Sequence, residues 1–258
     1  MIVRKESGGE LVLIAQTDHS RLAGQLAAHW GNRDFAAPEP NDSMIRAATF
    51  HDYGWLRYET APLISPETGE PYQFLQVPMT PQQLDSYQWA LDWLAGIDRY
   101  AGLIVSMHRT GLWQARYNSI AQPRSYTLTE MAPGVREFID RNEALQERER
   151  SSHDPVKLSV NYRLMQVWDL LALYFCCTQP YEEHIEPVPT GYSEGASTRM
   201  VLMPADASIM FDPYPFNVRP CRIQLAYKRL NRLAFDSTED FRKAYFGAEN
   251  GLLRFELC

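Results

Sequence analysis

Residues 164–175, LMQVWDLLALYF, are the most apolar part of the chain, and they contain a single carboxylate, Asp169. The segment lies downstream of Asp154-Pro155, a pair that is typical of a helix start, so we predict one long buried helix. An ionised carboxylate alone on such a helix costs several kcal/mol unless another group neutralises it. The neighbours of Asp169 at helical spacing carry no positive charge. The sequence therefore predicts that another helix, or a metal ion, neutralises Asp169.

Composition and net charge exclude several classes of protein. The chain has 258 residues, of which 45% are apolar and 22% are charged, as in average globular proteins. The net charge is −7, so the chain lacks the excess of basic residues that nucleic-acid binding generally needs. No apolar run reaches the roughly 18 residues that a membrane span needs. We therefore expect neither a nucleic acid nor a membrane as partner.

The cysteines indicate the redox environment. Two of the four are adjacent, Cys176 and Cys177, and none has the spacing of a zinc knuckle. The first residues lack the layout of a secretory signal. We expect reduced thiols and a cytoplasmic protein, while the oligomeric state stays open.

Helix and strand signals predict a helical body with a small sheet beside it. Residues 1–15 are predicted to form a hairpin, and residues 16–178 to form a series of helices, the first capped by Thr17 or Asp18. Residues 179–258 are rich in proline and glycine and contain short β-rich runs at 200–203, 208–211, 222–227 and 252–257. We predict three parts, namely the N-terminal hairpin, a helical metal-binding domain and a β-rich C-terminal extension, whose sheet the hairpin joins. The predicted fold class is mainly α, a helical bundle with a small antiparallel sheet.

Three of the six histidines suggest a metal site. His19, His51 and His108 lie on predicted helices beside apolar residues, and Asp52 directly follows His51. Each residue alone is most simply explained as a hydrogen-bonded core residue. The combination with Asp169 differs, because helical bundles build metal sites from inward-facing side chains of several helices. Imidazole and carboxylate ligands suit iron, manganese, zinc or nickel, so we predict a divalent transition metal.

A second His-Asp pair, His153-Asp154, offers a comparison. Because 16 residues separate His153 from Asp169, an unbroken helix places them about 24 Å apart. Both residues cannot bind one ion on such a helix. We interpret His153-Asp154 as a solvated helix cap.

The order of His19, His51-Asp52 and Asp169 resembles the H…HD…D signature of the HD-domain metal-dependent phosphohydrolase superfamily. The segment HDYGW at 51–55 resembles its HD-x-G segment, and the whole chain looks similar to a bacterial family of HD-like proteins. The resemblance covers residues 16–178 and implies an HD-type bundle with four ligands for a first metal ion: His19, His51, Asp52 and Asp169.

The resemblance leaves open whether one or two ions bind. Two-metal members of that superfamily have further histidines between the HD pair and the last Asp, with the HD aspartate bridging the ions. His108, in VSMHRTGL, lies in this interval. It is a candidate ligand of a second ion, or a general acid, or a group that orients a phosphate. Asp52 and His108 are therefore the candidate catalytic residues.

Three further residues are candidate substrate contacts. Arg57 and Tyr58 follow the HD turn, and Arg109 is next to His108. Side chains of these types are more commonly ordinary surface or core residues.

Three functions remain open at this point. The first, which the resemblance implies, is a metal-dependent hydrolase of the HD type that acts on a phosphate ester or anhydride of a small-molecule substrate through a metal-activated water. The second is an HD-fold diiron oxygenase, which needs two irons. The third is a non-enzymatic metal- or ligand-binding regulatory protein, in which the added sheet is an interaction surface.

Overall fold

The long apolar segment forms a helix of 23 residues that carries Asp169 near its middle. The computed structural model describes residues 1–114, 131, 134–177, 179–205 and 208–258. In chain order the helices of these residues are α1 (Gln16–His29), α2 (Asn41–Phe50), α3 (Leu56–Glu59), α4 (Pro81–Ile97), α5 (Arg99–Trp113), α6 (Val135–Arg150), α7 (Pro155–Cys177) and α8 (Thr238–Gly247). Short 3-10 helices cover Tyr53–Trp55 and Phe74–Gln76.

The strands form one sheet that joins the two ends of the chain. They are β1 (Ile2–Lys5), β2 (Leu11–Ile14), β3 (Glu183–Pro189), β4 (Ser197–Ala205), β5 (Ser208–Asp212), β6 (Cys221–Leu230) and β7 (Asn250–Leu257). Their order in the sheet is β1-β2-β6-β7-β5-β4-β3. All neighbours are antiparallel except β5 and β7, and the N-terminal hairpin pairs with β6, where Leu11 lies opposite Leu230.

The predicted fold class is wrong. Of the described residues, 49% are helical and 22% are in strands, so the fold is mixed α/β, and the seven strands among these residues curl into a half-barrel rather than a small sheet beside a helical bundle. The prediction missed β3, which has Pro187 and Pro189 and lies at the edge of the sheet, where missing backbone N–H groups are tolerated. It also underestimated β4 and β6, which have 9 and 10 residues.

The helices and the sheet share one apolar core. Helix α1 packs against β6, and α7 packs against β1 and β3. Trp30 lies at the centre of this contact, with its ring 6.0 Å from that of Trp168 on α7 and 5.9 Å from that of Phe216, which precedes β6. The core cluster is continuous through both layers. The division of the chain at residues 15 and 178 stays a prediction.

Four helices pack directly on one another around the middle of α7. Helix α1 contacts α2 and α7, and α5 contacts α2 and α7. Helices α1 and α2 approach closely where Gly24 faces Thr49, because Gly24 has no side chain. A Cβ atom at Gly24 would lie 2.1 Å from the Thr49 hydroxyl oxygen. This packing directs residues of α1, α2, α5 and α7 towards a common point.

The start of α1 differs from the prediction. Thr17 and Asp18 lie inside the helix, and the N-cap residue is Ala15, whose side chain cannot accept a hydrogen bond. The cap comes from elsewhere in the chain, as described below.

Among the described residues, no helix is both long enough and apolar enough to cross a bilayer.

Candidate metal centre

The point where the four helices meet is a buried cluster of histidines and aspartates. His19 lies on α1, His51 and Asp52 directly follow α2, His108 lies on α5, and Asp169 lies on α7. Each of the five is at most 7% exposed. The structure therefore brings together the five predicted metal ligands from four segments of the chain.

The carboxylate of Asp169 lies at the centre of this cluster. Its Oδ1 atom is 3.1 Å from His19 Nε2 and 3.2 Å from His51 Nε2, and its Oδ2 atom is 3.4 Å from His108 Nε2. Asp52 is the second carboxylate, with Oδ2 3.4 Å from His19 Nδ1 and 3.6 Å from His51 Nε2. Three imidazoles and two carboxylates thus meet within a few ångströms, away from bulk water.

The orientation of His51 indicates a cation between these groups. Its Nδ1 atom is 2.8 Å from the carbonyl oxygen of Ala48, which accepts a hydrogen bond and so places the proton on Nδ1. The lone pair of Nε2 then points at the carboxylate oxygens of Asp52 and Asp169. Two acceptors cannot hydrogen-bond to each other, so a proton or a metal ion must lie between them.

The spacing of the atoms also fits a metal ion. His19, His51 and Asp169 each offer one ligand atom, and these three atoms lie within 4.8 Å of one another. Ligands that bind one ion at about 2.0–2.2 Å are themselves roughly 3.0–3.6 Å apart in tetrahedral or octahedral geometry. The buried cluster can therefore hold a metal ion.

The electrostatics of the metal-free cluster depend on the two carboxylates. Burial opposes ionisation of Asp169, but the hydrogen bond from His19, together with the interactions with His51 and His108, holds its pKa well below the usual range. Burial lowers the pKa of His19, yet its hydrogen bonds to Asp169 and Asp52 and their charges outweigh this and raise the pKa to about 10. A proton on His19 therefore supplies the positive charge that a metal ion would supply instead.

The pKa of His108 is shifted in the opposite direction from that of His19. Burial lowers its pKa to about 4, and the attraction of Asp169 does not compensate. His108 is therefore neutral near pH 7. A neutral imidazole is the form that binds metal or hydrogen-bonds to a carboxylate, so this state favours such a role over proton donation.

The three predicted substrate contacts lie in different surroundings. Arg109 borders the cluster, with Nη1 3.9 Å from Asp52 Oδ1. Arg57 is exposed, and its guanidinium lies 5.6 Å from the centre of the Trp89 ring. Tyr58 is buried, and its hydroxyl accepts a hydrogen bond of 3.4 Å from the backbone of Leu63. The structure thus brings only Arg109 of these three to the cluster.

The comparison pair lies apart from the cluster. The carboxylate of Asp154 accepts hydrogen bonds from the backbone N–H groups of Val156 and Lys157 at 2.8 and 3.1 Å. The ring of His153 packs at 4.9 Å from that of Tyr100. The pair caps and packs the start of α7.

A functional position that the sequence did not reveal is Glu59. Its buried carboxylate accepts hydrogen bonds from the backbone N–H groups of Gln16 and Thr17 and from the Thr17 hydroxyl, and so caps α1. The only signal in the sequence is the missing cap at Ala15. Nothing in the local sequence indicates that a residue 43 positions further on supplies it.

The fold and the cluster together define a mixed α/β protein with a buried His/Asp centre that can hold a metal ion. The chain belongs to the DUF3891 family, described as a protein of unknown function, which matches residues 1–232. No HD-domain family matches, so the resemblance to the HD superfamily is wrong. That resemblance rested on a few residues spread over more than half of the chain. The same order of histidines and aspartates can arise independently wherever several helices surround a metal site. No curated protein and no solved structure gives a match.

Proposed function

We propose that this protein is a metal-dependent hydrolase that cleaves a phosphate ester or anhydride of a small-molecule substrate. The observation that carries the proposal is the position of the Asp169 carboxylate within 3.1–3.4 Å of three histidines from three helices. A buried carboxylate with a purely structural role needs only enough hydrogen-bond donors to satisfy its oxygens, and these can be backbone N–H groups. A buried site with three imidazoles and a second carboxylate is better explained as a set of metal ligands.

The mutually close residues His19, His51 and Asp169 would hold the ion, with Asp52 beside two of them. Neutral imidazoles with carboxylates favour iron, manganese, zinc or nickel over calcium. We propose one ion, because His108 lies at the other carboxylate oxygen of Asp169 and is not part of the close set. When bound, such an ion supplies a Lewis acid and a water of lowered pKa.

The side chains of the protein have distinct tasks in this proposal. Burial raises the pKa of Asp52, but in the metal-free cluster the interaction with His51 and the hydrogen bond and charge of His19 outweigh burial and lower the pKa. A metal ion beside Asp52 would favour the ionised form in their place. Asp52 can accept a hydrogen bond from the water that attacks phosphorus and so orient that water. The water oxygen bonds to phosphorus while the bond from phosphorus to the leaving oxygen breaks. One proton of the water passes to the leaving oxygen, which yields an alcohol, or a second phosphate, together with inorganic phosphate.

The test combines metal content with activity. We expect purified wild-type protein to contain about one equivalent of a transition metal, and to hydrolyse some member of a panel of nucleotides and phosphomonoesters. Asp169→Asn should lose the metal and the activity. Asp140→Asn, an exposed position on α6, is the matched control and should retain both.

The other outcomes separate the two alternatives named above. Two irons per chain with substrate-dependent uptake of oxygen would replace the hydrolase by a diiron oxygenase. A chain that takes up none of these metals would leave a binding or regulatory protein.

A further inference from the structure

The guanidinium of Arg109 lies beside the candidate metal centre with unused hydrogen-bonding capacity. Its Nη1 atom is 3.9 Å from Asp52 Oδ1, which is beyond hydrogen-bonding distance. Within the described part of the chain, its buried Nε atom has no hydrogen-bond partner. The side chain is only 12% exposed, so bulk water reaches little of it. An arginine in this position has donors that a ligand can satisfy.

Two aromatic rings hold this guanidinium in place. Its carbon atom lies 4.6 Å from the centre of the Tyr87 ring and 4.7 Å from that of Trp113. Tyr87 belongs to α4, which approaches the turn after Asp52 closely enough for the Ser86 hydroxyl to donate to the carbonyl of Gly54 at 2.8 Å. The guanidinium is therefore positioned before any ligand binds, which reduces the entropy cost of binding.

The formal charges of the centre favour an anion. Histidines that bind metal are neutral, so the carboxylates of Asp52 and Asp169 balance one divalent ion. The positive charge of Arg109 then remains in a largely buried site, where an unbalanced charge is costly. A bound anion next to both the ion and Arg109 removes this imbalance.

We propose that Arg109 binds the phosphate group of the substrate, next to the metal centre. This inference rests on the proposed function and names the residue that recognises the substrate. A planar guanidinium donates two parallel hydrogen bonds to a phosphate, whereas an ammonium group acts as a point charge. Carboxylates accept the same pair of hydrogen bonds, so the test includes both kinds of anion.

The experiment measures binding of inorganic phosphate and of acetate to the metal-loaded full-length protein by calorimetry, beside metal content and hydrolysis. Arg109→Gln should weaken phosphate binding about 10- to 100-fold, as for a lost hydrogen bond to a charged group. Arg109→Lys should recover part of this and covers the case in which the glutamine variant fails to fold. Arg99→Gln, which removes an exposed arginine of the same helix that pairs with Glu149, is the matched control and should bind phosphate like wild type. Metal content should stay unchanged in all three variants.

The outcomes separate this inference from the proposed function. Phosphate binding that depends on Arg109, in a metal-loaded protein without hydrolytic activity, supports the inference and contradicts the proposed function. Equal phosphate binding by wild type and Arg109→Gln overturns the inference and leaves the function intact. Acetate binding as tight as phosphate binding overturns the assignment to phosphate. A chain that takes up no metal overturns both.

Discussion

The carboxylate of Glu59 accepts a 2.6 Å hydrogen bond from the hydroxyl of Thr17, two residues before the candidate metal ligand His19. Glu59 ends α3, which begins four residues after Asp52, so it connects the two segments that carry His51-Asp52 and His19. Because Ala15 provides no cap of its own, the orientation of the first turn of α1 depends on Glu59. Glu59 is therefore a positioning residue for the metal centre.

We predict that Glu59→Ala weakens metal binding about 10-fold or more although Glu59 touches no metal ligand directly, a size typical of residues that orient ligands. Glu59→Gln keeps one carbonyl acceptor for the N–H groups of α1 and should recover most of the affinity. The measurement is competition with a coloured chelator. Normal metal affinity together with lowered stability in the alanine variant would show that Glu59 serves the fold alone.

The carboxylate at the centre of the cluster should affect stability in two ways. Its lowered pKa means that ionised Asp169 stabilises the metal-free fold near pH 7, and this contribution disappears as the pH falls through the folded-state pKa. Asp169→Ala should therefore cost about 3–5 kcal/mol without metal, as for a broken buried ion pair. The variant should also lose the additional stabilisation that metal gives the wild type.

Urea unfolding with and without a chelator measures both effects. An alanine variant as stable as the metal-free wild type would mean that the desolvation cost of the carboxylate equals its attraction to the histidines. A variant still stabilised by metal would remove Asp169 from the ligand set.

Metal binding should release protons. The pKa of His19 is raised from 6.5 to about 10, so the metal-free cluster holds a proton on His19 near pH 7. That proton stabilises the metal-free fold, and its contribution is lost as the pH rises from 6.5 through about 10. A metal ion that binds to His19 displaces it, so we expect release of at least about one proton per ion and an affinity that rises about tenfold or more per pH unit. Calorimetric titrations near pH 7 in two buffers of different ionisation enthalpy measure the number. Binding without proton release would place the ion away from His19.

The close packing of α1 on α2 should be sensitive to one methyl group. A Cβ atom at Gly24 would lie 3.1 Å from the Thr49 Cα atom as well as 2.1 Å from its hydroxyl, so Gly24→Ala must move one helix. We expect a cost of about 1–3 kcal/mol from overpacking, and weaker metal binding because these helices carry His19 and lead to His51. Gly96→Ala is the matched control, since a Cβ atom at this position of α4 meets no atom within 4 Å. Equal stability of the two variants would contradict this account of the helix contact.

The outcome of sequence-based prediction depended on how local the signals are. Helix α4 begins at Pro81 with Thr80 as its cap, and these two adjacent residues form a helix-start signal that can be found in the sequence alone. The buried helix around Asp169 was predicted from one apolar run in the same way. The size of the sheet was not predicted, because strands such as β3 contain prolines and charged residues and are stabilised by pairing with other strands.

The same distinction applies to the candidate site. The histidines and aspartates could be selected because their residue types are unusual on apolar helices. The residues that position these side chains could not be predicted, since Glu59 caps a distant helix and Tyr87 contacts Arg109 from another helix. The family resemblance was wrong because it compared the ligand types alone and not the surrounding fold.

Substitutions of His108 test how many ions bind and what role the second carboxylate oxygen of Asp169 has. The Nε2 atom of His108 is 3.4 Å from Asp169 Oδ2, whereas His19 and His51 are close to the other oxygen, Oδ1. Because His108 is neutral near pH 7, we expect it to orient Asp169 rather than to donate a proton. His108→Ala should then keep about one equivalent of metal at saturation but weaken the affinity about 10- to 100-fold, as for residues that orient metal ligands. His108→Gln keeps an N–H donor and should recover part of this affinity.

A loss of about one equivalent from a wild type that holds two would make His108 a ligand of a second ion. Unchanged affinity with turnover reduced about 10²–10⁴-fold would instead identify it as a general acid or base.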